Sequence, residues 1–370
     1  MLWTIFEALL VMALLCSAWG GCVHPGSLPL CVPVSVMVFP LLALLVGIVL
    51  LIDALCRRWK HVAMMAAALL LCTPMLRLTL PLNLVGRSHR HGNDTISVLT
   101  LNVCNFMQPE QFPPNATLQY LLHSGADVLV LQEIIHDGWG TPREVCDSSF
   151  SPRQLQLLDS IYPYRSHDND DVGIYSRFPF TRVEVAKPLV GFDMVDYFAA
   201  MEHHYAVAYD LHLPQGKQLR LLAVHLKSWS FSRRQRTMLG GTVTDELDAM
   251  PGTQAYNLNT TQLMHRAYAD RAAEAQAVRK AIDDSPDNVI VCGDFNDVPG
   301  SYTYCTVRGD DLRDAWADVG RGYAHTYNQY HFLLRIDHML YRGQLRPVAI
   351  QRSHAAASDH YPIMTTFTWQ

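Results

Sequence analysis

The sequence lacks several patterns that would assign a function at once. Charged residues make up only 17% of the 370 residues, with 29 Lys and Arg against 34 Asp and Glu. No basic stripe is present, and this disfavours proteins that bind the phosphate backbone of nucleic acids without metal ions. The 9 cysteines form no CxxC pair and no Cys/His spacing typical of a zinc site. Without repeats or low-complexity tracts, what remains is ordinary globular composition joined to a long apolar region.

The apolar residues are unevenly distributed and divide the chain near residue 92. Before that point the sequence is mostly Leu, Val, Ala and Met, and its only acids are Glu7 and Asp53. Three apolar stretches there approach the ~20 residues that a helix needs to cross a bilayer. They are Leu2–Trp19, Val34–Leu55 and Val62–Leu84. We therefore predict a transmembrane region over residues 1–92 and a globular domain over residues 93–370.

The flanks of these stretches predict a topology. The first stretch has no basic segment before it and contains Glu7, so we interpret it as a retained span and not as a signal peptide. The third is interrupted by Pro74 and Pro81, and two spans followed by an interfacial helix is the alternative. The basic loop "CRRWKH" between the second and third stretches favours the cytoplasm, which places the globular domain outside it. Arg87 and Arg90 favour the opposite orientation.

Two cysteines flank the Gly/Pro-rich loop between the first and second stretches. They are Cys22 and Cys31. If this loop lies in an oxidising space, the two could pair in a disulfide.

Short apolar runs alternate with turn and helix signals from Thr95 onward. Runs such as "TISVLTLNV", "DVLVLQE" and "LRLLAVHLKS" are typical of strands, and the Ala-rich segment Gln262–Ile282 predicts a long helix. Many short strands with a few helices favour a four-layered α/β sandwich with two packed β-sheets. The polar stretch Trp229–Thr261 predicts a long loop, which in a compact domain is usually functional or mobile.

Polar residues recur where the apolar runs end. Each alone has an ordinary structural role, such as forming a turn, pairing in a salt bridge or packing as a core histidine. Their recurrence across six runs indicates that the side chains converge on one edge of the sandwich. The residues are Asn102, Glu133, His225, Asp294, Asn296, Asp337, Asp359 and His360.

This set of side chains suits the hydrolysis of a phosphate ester. Such a reaction needs a cation to neutralise the phosphoryl oxygens and a base or orienting group for the attacking water. Oxygen donors without thiolates favour Mg²⁺, or Mn²⁺, over zinc. Asp294 and Asn296 lie two positions apart, so both side chains would point to the same side of an extended segment. One could accept the water proton while the other holds the phosphate or the water.

Six motifs follow one another along the globular part: "TLNVCN", "DVLVLQE", "AVHLKS", "VCGDFNDVP", "LRIDHML" and "SDHYP". In order and spacing they resemble the endonuclease/exonuclease/phosphatase superfamily, which includes deoxyribonuclease I, apurinic endonucleases, inositol polyphosphate 5-phosphatases and neutral sphingomyelinases. The resemblance covers Thr95 to Trp369. With the preceding spans, the chain is similar to membrane-anchored bacterial members, which implies an integral protein of the bacterial plasma membrane.

The resemblance implies a metal side of the site. Glu133 would be the principal Mg²⁺ ligand, with Asn102 beside it at the metal or phosphate. Asp359 would lie on the same side.

It also implies a catalytic side. Asp294 would activate or orient the water, and Asn296 would contact the phosphate. His360 would stabilise charge on the phosphoryl group, with Asp337 fixing its tautomer. His225 matches the position that the sphingomyelinase and phosphatase branches use for phosphate contact.

We thus predict a membrane-anchored, Mg²⁺-dependent phosphoesterase that acts by direct attack of water, with a phospholipid or sphingolipid head group as a candidate substrate. A metal-dependent nuclease is the alternative among enzymes, and a non-catalytic receptor or scaffold is the alternative from another class. The expected partners are the substrate and the bilayer; no protein partner is evident, and nucleic acid is not favoured. Lys227 and Arg335 are lesser candidates for phosphate contact, and Arg271 is predicted to be a surface or salt-bridge residue.

Overall fold

The computed structural model describes most of the chain. The described residues are 2–27, 30–83, 94–104, 116–134, 152–166, 172–183, 185, 205–229, 260–329, 333–354 and 358–370. The helices in these ranges are Leu2–Trp19 (α1), Cys31–Met37 (α2), Phe39–Leu55 (α3), Trp59–Leu71 (α4), Thr73–Thr79 (α5), Ala116–His123 (α6), Pro152–Ile161 (α7), Thr260–Asp283 (α8), Tyr302–Arg308 (α9) and Ala315–Val319 (α10). The boundary predicted at residue 92 lies outside the described residues.

Twelve strands in the described ranges form two mixed sheets. They are Thr95–Asn102 (β1), Val128–Gln132 (β2), Tyr164–Ser166 (β3), Val172–Ser176 (β4), Phe180–Val183 (β5), Ala206–His212 (β6), Gln218–His225 (β7), Val289–Asp294 (β8), Arg313–Asp314 (β9), Asp337–Arg342 (β10), Leu345–Arg352 (β11) and Ile363–Trp369 (β12). The first sheet has the order β11-β12-β1-β2-β4-β3, and the second has the order β5-β6-β7-β8-β10-β9. The predicted α/β sandwich of two sheets is confirmed.

Alternate side chains of each central strand belong to different layers. In β1, Ile96 and Val98 pack in the core between the sheets, whereas Leu99 packs with helices α6 and α7 on the outside. In β8, Ile290 packs in the core between the sheets, and Val291 packs against the outer layer that contains α8 and α9. Because successive strand residues point to opposite faces, strands buried on both sides read as continuous apolar runs. The layers are therefore helix, sheet, sheet and helix.

The N-terminal region forms one long helix and two bent pairs. The segment Leu2–Cys22 is long and apolar enough to cross a membrane, and up to three spans result if each bent pair is one span. Helices α2 and α3 meet at 69°, and α4 and α5 meet at 62°. Each break lies within a predicted stretch, at a point where a proline enters the first turn of α3 or of α5. Proline lacks an N–H group and its ring clashes with the preceding turn.

The N-terminal helices pack directly on the sandwich. Val36 and Met75 share a buried cluster with Val298 and Ile336 of the globular domain. Polar contacts add to this interface: the Asn83 side chain donates to the backbone oxygens of Ala317 at 3.2 Å and Gly320 at 2.7 Å. The helices and the sandwich therefore form a continuous packed interface.

Arg335, a candidate for phosphate contact, belongs to this interface instead. Its guanidinium is buried, and it donates to Asp314 Oδ2 at 3.0 Å and to the backbone oxygen of Leu78 at 2.8 Å. Arg335 lies two positions before Asp337 in the sequence. This spacing does not show that the guanidinium of Arg335 pairs with the Asp314 carboxylate.

The loop after α1 also contacts the sandwich, where Gly21 packs against the backbone of Gly300. A Cβ atom on Gly21 would lie 1.6 Å from the backbone oxygen of Gly300, so no larger residue fits without displacing the backbone. The thiol of Cys22 in this loop is a neighbour of the thiol of Cys305 on α9. Cys22 and Cys31 are both free thiols. The suggested pairing of Cys22 with Cys31 is therefore not observed, and Cys305 is the thiol partner of Cys22.

We expect a mild thiol oxidant to join Cys22 to Cys305, because the two thiols are already in contact. A protease site inserted within residues 84–93 makes the link visible. After cleavage, the oxidised protein should run as one band without reductant and as two bands with it on a denaturing gel. Cys31→Ser should behave like the parent, and Cys305→Ser should separate into two bands. A link that survives in Cys305→Ser would contradict this packing.

Candidate active site

Strand pairing brings the predicted polar residues to one edge of the sandwich. The parallel pair β7 and β8 sets His225 opposite Asp294, and the antiparallel pair β8 and β10 sets Asp337 opposite the same Asp294. In the other sheet, parallel strands β1 and β2 end side by side at Asn102 and Gln132, immediately before Glu133. The carboxyl ends of four strands from two sheets thus face one another.

Asp294 is the centre of the resulting constellation. Its side chain is 1% exposed, and Asn102 Nδ2 donates to its Oδ2 at 3.2 Å. The Nε2 atoms of His225 and His360 lie 3.8 Å and 3.7 Å from the same Oδ2. The backbone N–H of Asn296 donates to the other oxygen at 2.7 Å. Burial raises the pKa of Asp294, nearby Asp337 raises it further, and the two histidines oppose this.

Glu133 occupies the more open part of the constellation. Asn102 Nδ2 donates to Glu133 Oε1 at 2.8 Å, and His225 Nε2 lies 3.8 Å from that oxygen. The Glu133 side chain is 33% exposed, in contrast to the buried Asp294. Its backbone has φ 53°, a left-handed conformation that is strained for a residue with a side chain. Such strain persists where the surrounding structure fixes it, and functional sites are common locations.

His360 and Asp337 form a buried pair beside Asp294. The Nδ1 atom of His360 lies 2.8 Å from Asp337 Oδ2, so this nitrogen donates to the carboxylate and Nε2 is directed towards Asp294. Burial disfavours the charged imidazole, but Asp337 and Asp294 outweigh it and hold the pKa of His360 well above its usual value. The two carboxylates therefore favour the charged form of the imidazole.

Three predicted residues also make local hydrogen bonds. Asn102 accepts the N–H of Cys104 with its Oδ1 at 3.0 Å, so its amide nitrogen is the group that faces the carboxylates. Asn296 donates its side-chain amide to the backbone oxygen of Leu226 at 2.8 Å. Asp359 Oδ1 accepts from Ser358 at 3.4 Å. The amide nitrogen of Asn102 therefore orients the carboxylates of Glu133 and Asp294. The side chain of Asn296 closes the turn after β8.

Residues that the sequence analysis did not single out support the site from behind. Thr326 Oγ1 accepts the backbone N–H of Asp337 at 3.0 Å, and the Tyr327 ring lies 5.1 Å from that of His360. Ser358 Oγ donates to the Asn102 backbone oxygen at 2.7 Å and accepts the N–H of His360 at 3.1 Å. Ser358 belongs to the quoted "SDHYP", whereas nothing local marks Thr326. Most of the predicted long loop Trp229–Thr261 lies outside the described residues.

The donor set suits a divalent cation bound by oxygen. The carboxylates of Asp294 and Asp337 each place an oxygen within 4.8 Å of the other. Among the described residues, Asp337 Oδ1 is buried without a hydrogen-bond partner. Glu133 adds a third, more accessible carboxylate. Close carboxylates in a buried site repel one another, and a cation offsets this repulsion.

A buried ion pair on α8 holds the backbone next to the site. Arg271, predicted to be a surface or salt-bridge residue, is fully buried, with its Nε 3.5 Å from Asp297 Oδ2. It also donates to the backbone oxygen of Lys227 at 2.7 Å, and Glu274 accepts the N–H of Lys227 at 2.7 Å. The backbone of Lys227, two residues after His225, is thus clamped on both sides by one helix. The salt-bridge interpretation of Arg271 is confirmed and the surface interpretation is wrong.

The raised pKa of Glu274 predicts that the stability of the fold depends on pH. Burial raises its pKa from 4.5 to about 7, against the opposing contacts from Lys227 and Arg271. The folded protein therefore binds a proton at Glu274 more tightly than the unfolded chain does. The contribution of this proton to the free energy of unfolding is complete below pH 4.5 and is lost as the pH rises to about 7. The loss amounts to about 3 kcal/mol at most. Glu274→Gln keeps the acceptor for Lys227 without the charge, and it should flatten this part of the pH profile in thermal unfolding of the full chain. An unchanged profile would contradict this assignment.

Comparison with protein-family models then decides the relationship. Residues 99–360 match the model of the endonuclease/exonuclease/phosphatase family. The chain belongs to this family. Its members are metal-dependent hydrolases of phosphoric esters, so the predicted fold and the predicted class of enzyme are both confirmed. Comparison with curated protein sequences gave no match.

Several solved structures are similar to this chain. An endonuclease/exonuclease/phosphatase from Beutenbergia cavernae is 17% identical, with 75% of this chain and 72% of that chain covered and a TM-score of 0.47. The human Nocturnin catalytic domain with bound sulfate is 17% identical, with 75% and 95% covered and a TM-score of 0.46. A 3′ phosphatase from Neisseria bound to a product DNA hairpin is 16% identical, with 74% and 100% covered and a TM-score of 0.47.

Proposed function

We propose that the protein is a membrane-anchored, Mg²⁺-dependent phosphoesterase that hydrolyses the head group of a phospholipid or sphingolipid by direct attack of water. The observation that carries this proposal is the position of the site. The cluster of Asp294, His360 and Glu133 lies at a sandwich edge whose supporting residues also pack against the apolar N-terminal helices.

Each described side chain has a task in this reaction. Asp294 accepts a proton from the attacking water, because Asn102 orients it and burial raises its pKa. The water oxygen forms the new bond to phosphorus, the ester P–O bond breaks, and the leaving oxygen takes up a proton. His360, held by Asp337, donates from Nε2 to a phosphoryl oxygen. His225 lies between the Asp294 and Glu133 carboxylates, within reach of the same phosphate.

A divalent cation would supply the positive charge that neutralises the phosphoryl oxygens. Glu133 is the described carboxylate best placed to hold it, because this side chain is partly exposed and is fixed by Asn102. Mg²⁺ fits an oxygen-rich site of this kind. Asn102 and Asp359 as metal ligands stay predictions, as does phosphate contact by Asn296.

Proximity to the helices supports a lipid substrate. Tyr327 contacts the His360 ring and also packs against the cluster that contains Met75 and Leu334. Large apolar residues of α1 and α3 are exposed on the helices, as expected of a surface that meets lipid. A head group at the bilayer surface would be present near the site at a high effective concentration. Because the loop after α1 contacts the sandwich, we place both on the side of the membrane opposite the basic "CRRWKH" loop, which the positive-inside rule assigns to the cytoplasm.

The test is a substrate comparison with the full chain in mixed micelles. We expect Mg²⁺-dependent release of phosphocholine from sphingomyelin or phosphatidylcholine at a higher kcat/KM than cleavage of a DNA duplex. Preferred cleavage of DNA would replace the lipid proposal by a nuclease. Failure of the protein to hydrolyse any phosphate ester in the presence of Mg²⁺ would favour a non-catalytic receptor.

A further inference from the structure

A second group of ionisable side chains lies among the N-terminal helices, on residues separate from the active site. Glu7 is on α1, Asp53 is near the end of α3 and His61 is in the first turn of α4. Their ligand atoms lie within 4.8 Å of one another. Glu7 and Asp53 are completely buried, whereas the His61 side chain is 27% exposed. Three helices therefore meet at one polar point inside an apolar bundle.

Each carboxylate is satisfied on only one oxygen. Glu7 Oε2 contacts His61 Nδ1, and Asp53 Oδ1 accepts the indole N–H of Trp3 at 3.2 Å. Arg58 Nη1 lies 3.7 Å from that same Asp53 oxygen. The second oxygens, Glu7 Oε1 and Asp53 Oδ2, are buried without a hydrogen-bond partner in the described part of the chain.

Ion pairing alone does not account for these two oxygens. A buried polar atom without a partner costs free energy, and an ionised carboxylate in apolar surroundings costs more. Arg58 is 46% exposed and approaches the oxygen that Trp3 already satisfies, so it leaves Asp53 Oδ2 unchanged. Ionisable residues within membrane helices are rare because of this cost, and where they occur they usually mark a functional site. A cation between the two carboxylates would satisfy both oxygens at once.

We propose that Glu7, Asp53 and His61 bind a divalent transition-metal ion such as Zn²⁺. Two carboxylates and one imidazole form a mixed oxygen and nitrogen donor set, and imidazole favours Zn²⁺ and its neighbours in the first transition row over Mg²⁺. The ligating nitrogen of the imidazole must carry no proton when the ion is bound. The partly exposed His61 and Arg58 mark the side from which the ion enters.

The bound ion would fasten α1, α3 and α4 together. Because a ligand that binds only the folded state stabilises it, the metal should raise the unfolding temperature of the N-terminal helices. This role does not depend on the substrate or on the catalytic cation. It concerns different residues. Mg²⁺-dependent hydrolysis that persists after the transition-metal ion has been removed would be compatible with it.

Co²⁺ binding to the full chain in detergent tests the site. The protein carries Glu133→Ala to weaken binding at the active site, and metals are first removed with a chelator. We expect visible absorption bands of a site with nitrogen and oxygen ligands, displaced by one equivalent of Zn²⁺ but not by excess Mg²⁺. Adding Glu7→Gln or Asp53→Asn should abolish the bands and the Zn²⁺-dependent rise in Tm. His123→Ala, an exposed histidine on α6, should change neither.

Two results would overturn the proposal. One is an equal stoichiometry and spectrum of Co²⁺ in the parent and in Glu7→Gln. The other is a Tm that Zn²⁺ does not change in the parent. If the buried substitutions prevent folding, His61→Ala at the partly exposed position serves as the second variant. It should lose the Co²⁺ bands while, with Glu133 intact, it keeps hydrolysis of a soluble phosphodiester.

Discussion

Asp294→Asn should lower kcat for Mg²⁺-dependent hydrolysis of bis-p-nitrophenyl phosphate by roughly 10³-fold, since removing a positioned general base typically costs 10²–10⁴. Asparagine has nearly the same shape and can still accept the N–H of Asn296, so the turn after β8 should be retained. It cannot take the water proton, and it removes one of the carboxylate charges that hold the pKa of His360 high. The loss should therefore appear mainly in kcat, with a smaller change in KM.

The control for this prediction is Asp284→Asn, which makes the same chemical change at an exposed position just after α8. Its kinetics should equal those of the parent. Circular dichroism and thermal unfolding of both variants separate a catalytic loss from a folding defect. If Asp294→Asn keeps activity comparable with the parent, Asp294 is not the base, and His225 becomes the next candidate because its Nε2 lies within 3.8 Å of both carboxylates.

The sandwich was predictable because its strands are buried on both faces. A run such as Val289–Cys292 leaves no polar face, and only a strand between two layers needs that composition. The convergence of the polar strand ends was predictable for a related reason. Parallel neighbours end at the same edge, so His225 and Asp294 must meet once β7 and β8 pair in register.

Other features depend on contacts that no local pattern encodes. The approach of Gly21 to Gly300 and of Cys22 to Cys305 joins segments nearly 280 positions apart. The sequence shows a glycine and a cysteine in each segment, but nothing in it connects them. The breaks before α3 and α5 were visible as prolines, yet hydropathy alone made each pair a single span. Composition measures how apolar a segment is and not where it bends.

The direction of polar side chains was also beyond sequence reasoning. Asn102 and Asn296 occur where the chemistry requires a polar group, but each side chain also bonds to the backbone. Asn102 accepts the N–H of Cys104, and Asn296 donates to the backbone oxygen of Leu226. Local bonds of this kind are common for asparagine at strand ends and in turns. A residue type at a strand end therefore identifies the neighbourhood of a site more securely than it identifies a ligand.

Glu133→Gln should raise the Mg²⁺ concentration needed for half-maximal activity by at least roughly 10²-fold, given that even residues that only support a metal ligand contribute 10- to 100-fold in affinity. Glutamine still accepts from Asn102, so the packing at this corner should persist. The lost charge matters because a hard cation such as Mg²⁺ depends on anionic oxygen. Excess Mg²⁺ should restore part of the activity in this variant, whereas it should restore none in Asp294→Asn.

Glu133→Asp sharpens the interpretation, since it keeps the charge and shortens the side chain. The left-handed backbone at Glu133 directs the carboxylate to one position, so a shorter side chain should be intermediate between the parent and glutamine in its Mg²⁺ requirement. Isothermal titration of Mg²⁺ with the chelated full chain measures the affinity without substrate. A Glu133→Gln variant with unchanged Mg²⁺ affinity and lowered kcat would show that Glu133 does not bind the cation, and would move the cation to the buried pair of Asp294 and Asp337.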